Sequence, residues 1–311
     1  MLKNLSTMVK KFTFRGLMAP VFTAFNNDSA QSINLNVIPA YSKYLADANI
    51  MGILVQGTTG EGMSLTVDER EKLTESWAKA CKTNKQCLMV QVGGTVLPDV
   101  IRLAKHAESL NVDALLCLPE LFSKPKTVTE LIEYLKLISE AAPNTPLFYY
   151  HLPLWTNVTI NMADFLNAAY KKIPTLCGIK FTSTNLDEGT ACLKAGDGSY
   201  VIFLGADQIM LGAFALGFDS AIATTFNMIP QKGQKIWEQF TKKNLEDAKC
   251  AQQTLTKSVD AIVKNGSWVS TMKTAMNILT PIQVGDVRPP LKRLSQSEKQ
   301  EMMNDLKQLL H

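Results

Sequence analysis

The chain has 311 residues, long enough for one large α/β barrel or for two ordinary domains. Hydrophobic residues make up 46% and charged residues 19%, a globular balance that excludes disordered, collagen-like and coiled-coil chains. The net charge of +4 is spread over isolated pairs such as Lys10-Lys11, Lys171-Lys172 and Lys242-Lys243, so no nucleic-acid-binding face is expected.

A chain of this length removes roughly 75% of its unfolded surface from water on folding, so no disulfide or metal staple is required. Its cysteines (Cys81, Cys87, Cys117, Cys177, Cys192 and Cys250) form no C-x-x-C pair and are expected as free thiols in a reducing compartment. No apolar run approaches the ~20 residues that cross a bilayer, so no membrane span is expected. The first 14 residues lack a contiguous apolar stretch, so the reading has no secretory signal and places the protein in the cytoplasm. The histidines are His106, His151 and His311, too few and too dispersed for a His-based zinc site.

In chain order, apolar and β-branched runs predict strands at 16–22, 52–56, 87–92, 114–118, 147–152, 175–181, 201–205 and 220–225. Amphipathic stretches between them predict helices at 35–48, 66–82, 97–109, 128–140, 162–171, 185–195 and 207–216. Thr66 and Glu69 form a capping-box pair at the start of the second helix. Strands that are apolar throughout and alternate with helices imply a parallel sheet covered on its outside. Eight such repeats favour closure into a (β/α)₈ barrel over residues 1–230. After Pro230 the strands stop. Helices at about 231–243, 245–264, 267–279 and 295–310, punctuated by Gly266, Pro281 and Pro289-Pro290, predict a helical region over 231–311.

In such barrels the reactive groups sit at the C-terminal strand ends. The second strand ends in Gly57-Thr58-Thr59-Gly60-Glu61-Gly62, where glycines allow a tight turn with backbone N–H groups and two hydroxyls above the barrel. A carboxylate or phosphate fits there, and so does a plain turn without a ligand. The sixth strand carries Lys180 in an apolar run, and alternation puts Gly178, Lys180 and Thr182 on one face. A free lysine is only roughly 0.04% neutral at pH 7, whereas a Schiff-base nucleophile must be neutral, a form that desolvation favours. A lysine snorkelling to the rim or paired with a carboxylate is the alternative. The fifth strand ends Tyr149-Tyr150-His151-Leu152-Pro153, and only one tyrosine can face the interior. That phenol is either a proton shuttle or a core tyrosine with a satisfied hydroxyl; His151 is read as structural. Gly205-Ala206-Asp207-Gln208 and Thr224-Thr225 end strands seven and eight, offering polyol contacts or, more plainly, a helix cap at Asp207 and turn threonines.

Together and in this order these elements resemble the pyruvate-dependent class I aldolase family that includes the dihydrodipicolinate synthases and the lyases of sialic acid. The Gly57-Thr58-Thr59-Gly60-Glu61 loop, Tyr150 with Pro153, and Gly178-Ile179-Lys180 match its three motifs, and the similarity runs from about Phe14 through Arg288-Pro289-Pro290-Leu291. The resemblance implies that Lys180 forms the Schiff base, that Tyr150 moves protons, and that Thr58 and Thr59 hold a carboxylate. The synthases carry an arginine two residues beyond the strand-five proline, where this chain has Trp155. Thr182, two residues after the lysine, together with Gly205, Asp207 and Thr224, is similar to the sialic acid branch. Gln208 stands where those lyases usually have an acidic residue. The segment from Pro119 to Pro125 lacks the tyrosine that bacterial relatives use for proton relay between subunits. The implied activity is cleavage of N-acetylneuraminate to N-acetylmannosamine and pyruvate, a step of amino-sugar breakdown, by a homotetramer with no metal, nucleotide or flavin. A Schiff-base aldolase of another 2-keto acid and a non-catalytic sugar sensor are the rival readings.

Overall fold

A computed structural model describes residues 11–310; residues 1–10, most of the stretch read for a leader, and His311 lie outside the described residues. Every position of Gly-Ile-Leu-Val at 52–55 is buried, and the other strands repeat this two-sided burial. Such strands need cover on both faces, which parallel pairing with crossover helices supplies. The strands are β1 (Gly16–Pro20), β2 (Gly52–Val55), β3 (Cys87–Gln91), β4 (Ala114–Cys117), β5 (Leu147–His151), β6 (Leu176–Phe181), β7 (Val201–Leu204) and β8 (Ser220–Ile222). They pair in sequence order, and β8 closes on β1, giving the expected (β/α)₈ barrel.

Alternation splits the core in two. Met18, Leu54, Met89, Leu116, Phe148 and Phe203 fill the barrel interior, where the edge of Phe12 meets Phe148 at a ring distance of 4.8 Å. The residues between them, such as Ile53, Val90, Ile179 and Phe181, pack outward against the helices. Each fully buried aliphatic or phenyl side chain contributes about 1.5–3 kcal/mol relative to exposure.

The covering helices are α1 (Ile38–Asp47), α2 (Val67–Asn84), α3 (Leu97–Ser109), α4 (Val128–Ala141), α5 (Pro153–Thr156), α6 (Met162–Ala169), α7 (Leu186–Gly198) and α8 (Met210–Ala215). Thr66 and Glu69 make the anticipated capping box on α2, and Thr127 with Glu130 makes a second one on α4. Beyond the strands lie α9 (Pro230–Thr241), α10 (Leu245–Val263), α11 (Trp268–Leu279) and α12 (Gln296–Leu310). Positions Val269 to Met276 of α11 are all buried, so this helix is enclosed by the rest of the molecule.

One irregularity bears on the site. The pairing of β5 with β6 slips between Leu147 and Phe148, which leaves Cys177 as an extra residue three positions before Lys180. Next to it, a Cβ on Gly178 would lie 1.8 Å from the Val201 carbonyl oxygen, so only glycine lets β6 approach β7 here. His151 points outward from β5, buried and stacked on Phe181 at 5.2 Å, with neither ring nitrogen hydrogen-bonded among the described residues. Burial pushes its pKa down to about 4. Between that value and the free imidazole near 6.5, the unfolded chain takes up a proton that the folded chain refuses, so acidification destabilises the fold by up to about 3 kcal/mol. In denaturant titrations, His151→Leu is therefore expected to lose about 2 kcal/mol less than the parent between pH 7 and pH 4.5. Equal losses in the two proteins would contradict a buried neutral imidazole.

Candidate active site

The parallel register sets Tyr150 beside Lys180 at the C-terminal ends of β5 and β6. Tyr150 belongs to the interior cluster and Tyr149 to the outer one, which resolves the choice between the two tyrosines. Lys180 is 5% exposed. Its Nζ donates to Tyr150 Oη at 3.1 Å and lies 4.3 Å from the centre of that ring. Its burial sets aside the snorkelling alternative, and no carboxylate pairs with it among the described residues, which sets aside the ion-pair alternative. Tyr150 Oη also lies 3.1 Å from Thr58 Oγ1. The phenol accepts from the amine and shares a hydrogen bond with the Thr58 hydroxyl in which either oxygen can donate, giving a connected amine–phenol–hydroxyl chain.

The loop after β2 is folded back on itself. Glu61 N–H donates to the Thr58 carbonyl at 3.1 Å, Gly62 N–H to the Gly57 carbonyl at 3.2 Å, and Thr23 Oγ1 to the Gly60 carbonyl at 2.7 Å. Gly62 is required, because a Cβ there would meet the Gln56 carbonyl oxygen at 2.0 Å. The N–H groups of Thr58 and Thr59 have no partner among the described residues, which leaves two donors for an anion. Thr59 Oγ1 and Thr224 Oγ1 lie 2.9 Å apart across the mouth, joining β2's loop to the end of β8.

The remaining candidates line the same cleft, a cavity of about 460 Å³. Asp207 is buried, and its carboxylate accepts from Thr225 N–H at 3.1 Å and from Thr225 Oγ1 at 2.6 Å. Burial raises its pKa, opposed by the Thr225 bonds and by the charge of Lys180. The cap reading of Asp207 is corrected here: Ala206 occupies the cap position of the following turn, and the Asp207 side chain bonds strand eight's end instead. Gly205 packs so tightly on Thr182 that a Cβ would fall 2.1 Å from Thr182 Oγ1. That hydroxyl is itself buried without a partner among the described residues. Gln208 is exposed at the rim and donates to Asp260 on α10 at 3.1 Å.

Thus Thr58, Thr59, Tyr150, Lys180, Thr182, Gly205, Asp207, Gln208 and Thr224 all border one cleft. Trp155, 53% exposed on α5, forms part of its wall. Ser183, Thr184 and Trp268 also line it and were not singled out from the sequence. Trp268 arrives from α11, and no local pattern signals that placement. A mostly apolar cleft with a few convergent polar groups is the usual form of a small-molecule site. Among the described residues no cluster of three or more His, Cys, Asp or Glu side chains is arranged to hold a metal ion.

An enclosed amine, a phenol bonded to it and a hydroxyl-rich anion loop, at the C-terminal face of a closed parallel barrel, are the parts of a class I aldolase. The chain belongs to the dihydrodipicolinate synthetase family, whose profile matches residues 13–309. It is 35% identical over 278 residues to N-acetylneuraminate lyase A of Xenopus laevis, covering 89% of this chain and 90% of that one. It is 33% identical over 287 residues to the N-acetylneuraminate lyase of Homo sapiens, covering 92% and 89% respectively. Among solved structures, the N-acetylneuraminate lyase (sialic acid aldolase) of Aliivibrio salmonicida matches with a TM-score of 0.90 at 34% identity, over 95% of this chain and 97% of that chain. The N-acetylneuraminate lyase of Proteus mirabilis matches with a TM-score of 0.90 at 32% identity, over 95% and 98%.

Proposed function

We propose that the protein cleaves N-acetylneuraminate to N-acetylmannosamine and pyruvate through a Schiff base on Lys180. The observation that carries this reading is the Lys180–Tyr150–Thr58 hydrogen-bonded chain at the base of the cleft. The names of the relatives support the substrate.

In the proposed sequence the neutral Lys180 amine attacks the C2 ketone of the open-chain sugar. Loss of water leaves an iminium, which serves as the electron sink. The Tyr150 phenol shuttles protons during these steps and its oxygen takes the C4 hydroxyl proton as the C3–C4 bond breaks. N-acetylmannosamine leaves as the aldehyde, the enamine is protonated at C3, and water returns to release pyruvate and the free amine. The free N–H groups of Thr58 and Thr59, with their hydroxyls, hold the carboxylate next to C2. Thr182, Gly205, Asp207, Gln208 and Thr224 receive the polyol and N-acetyl end. The same reading makes the protein a cytoplasmic homotetramer, built from a barrel over 1–230 and a helical region over 231–311.

The substrate assignment is tested by the rate of aldehyde release across a panel of 2-keto-3-deoxy sugar acids. N-acetylneuraminate is expected among the best. Finding it among the poorest, with rapid cleavage of an acid lacking the N-acetyl group, would move the assignment to another aldolase.

A further inference from the structure

One buried charge has no part in the proposed chemistry. Lys273, on the enclosed helix α11, is 1% exposed and pairs at 2.7 Å with Glu61, the last residue of the anion loop, whose side chain is equally inaccessible. The second Glu61 oxygen accepts from Arg288 N–H at 2.9 Å. Phe25 lies between two cations, with Lys273 Nζ 4.1 Å and Arg288 Cζ 4.4 Å from its ring centre. The Arg288 guanidinium is held in turn by both Glu69 oxygens, at 2.8 and 2.6 Å. Glu61 therefore has a completely partnered carboxylate, anchored to groups more than two hundred residues away in sequence.

Its backbone also needs holding. Glu61 adopts φ 52° and ψ 35°, a left-handed conformation that disfavours side chains other than glycine and persists where the surroundings over-determine it. Its N–H supports the Thr58 carbonyl at 3.1 Å, two residues from the free Thr59 N–H. Replacing a buried ion pair with apolar groups is often neutral or stabilising, so stability alone is a weak reason for this one. Removing a single partner is different: it leaves a buried carboxylate that must move towards water and take the loop with it. Lys273 does not line the cleft, and its contact with the anion loop is through Glu61.

We propose that Lys273 is a positioning residue for carboxylate recognition: through Glu61 it fixes the Thr58–Thr59 donors at the height of the Lys180 amine. This rests on the reading of Lys180 as the Schiff-base amine and of the loop as the carboxylate seat. The experiment is borohydride trapping of pyruvate, titrated in the unmodified protein, Lys273→Met and Glu61→Gln, with thermal melts of all three. Glu61→Gln is the gentler change, because the amide keeps the size of the side chain and an oxygen that can accept from Lys273. Each folded variant should need on the order of 10–100-fold more pyruvate for half-maximal trapping, the size of effect that a misplacement of about 1 Å produces. The trapping rate at saturating pyruvate should stay within about threefold of the parent. A folded variant with unchanged half-saturation overturns the inference, and so does failure of both variants to fold, which would make the pair a folding element only. If the unmodified protein traps no pyruvate on Lys180, the aldolase reading itself fails and this inference falls with it.

Discussion

Lys180→Ala is expected to lower turnover by at least about 10⁴-fold while leaving the barrel folded. The variant keeps the anion loop, the cleft walls and Tyr150, so sugar binding should persist while the covalent step is lost. No other amine can stand in. Lys273 is locked against Glu61 outside the cleft, and Lys180 is the only lysine among the described residues lining it. Burial raises the Asp207 pKa, and the change removes the smallest of the contributions that oppose this rise, so Asp207 should bind a proton slightly more readily in the variant. Truncation opens space that borders the cleft, where water can enter, so the melting temperature should move little. Initial rates of N-acetylmannosamine release, with peptide mass mapping after borohydride trapping, test both halves of the expectation. Turnover within tenfold of the parent, or a pyruvate adduct on a different lysine, would mean that the nucleophile is misassigned.

Much of this site was legible because periodicity says which way a strand residue points. Alternation along β6 put Lys180 inward with Ile179 and Phe181 outward, and the structure has that arrangement. It also allowed one inward tyrosine on β5, and the register that places Tyr150 level with Lys180 completes the pair. Strand ends shifted by one to three residues because burial continues past the last ladder bond, as at Phe22, beyond the Val21 N–H bond to the Leu54 carbonyl. The four-residue helix α5 was missed because Pro153 reads equally well as the start of a turn or of a helix. What stayed hidden was tertiary pairing. Nothing near Asp207 announces Thr225, and nothing near Glu61 announces Lys273, 212 residues later. Local pattern encodes a face and a cap, whereas a partner across the barrel is set by how the whole chain closes.

Tyr150→Phe separates proton transfer from covalent capture, because it deletes one oxygen and keeps the ring. That oxygen is the sole hydrogen-bond partner of Lys180 Nζ among the described residues and the link to Thr58. The remaining ring still faces the amine, which lies 4.3 Å from its centre, so the lysine should keep its place. Without the phenol, the amine has no hydrogen-bonded side chain among the described residues to take the C4 hydroxyl proton as the carbon–carbon bond breaks. The expected loss in kcat is about 10²–10⁴-fold, the usual span for removing general acid–base assistance. KM should change far less, since the carboxylate donors and the polyol contacts are untouched. Thr58→Val keeps the phenol but removes the hydroxyl bonded to it, and should therefore give a smaller fall in kcat in the same direction. The distinguishing measurement is borohydride trapping at saturating pyruvate: the Phe variant should still accumulate the Lys180 adduct, more slowly, whereas Lys180→Ala should give none. A Phe variant whose kcat stays within tenfold of the parent would show that another group, water included, carries the proton, and would leave the phenol with the task of holding the amine in place.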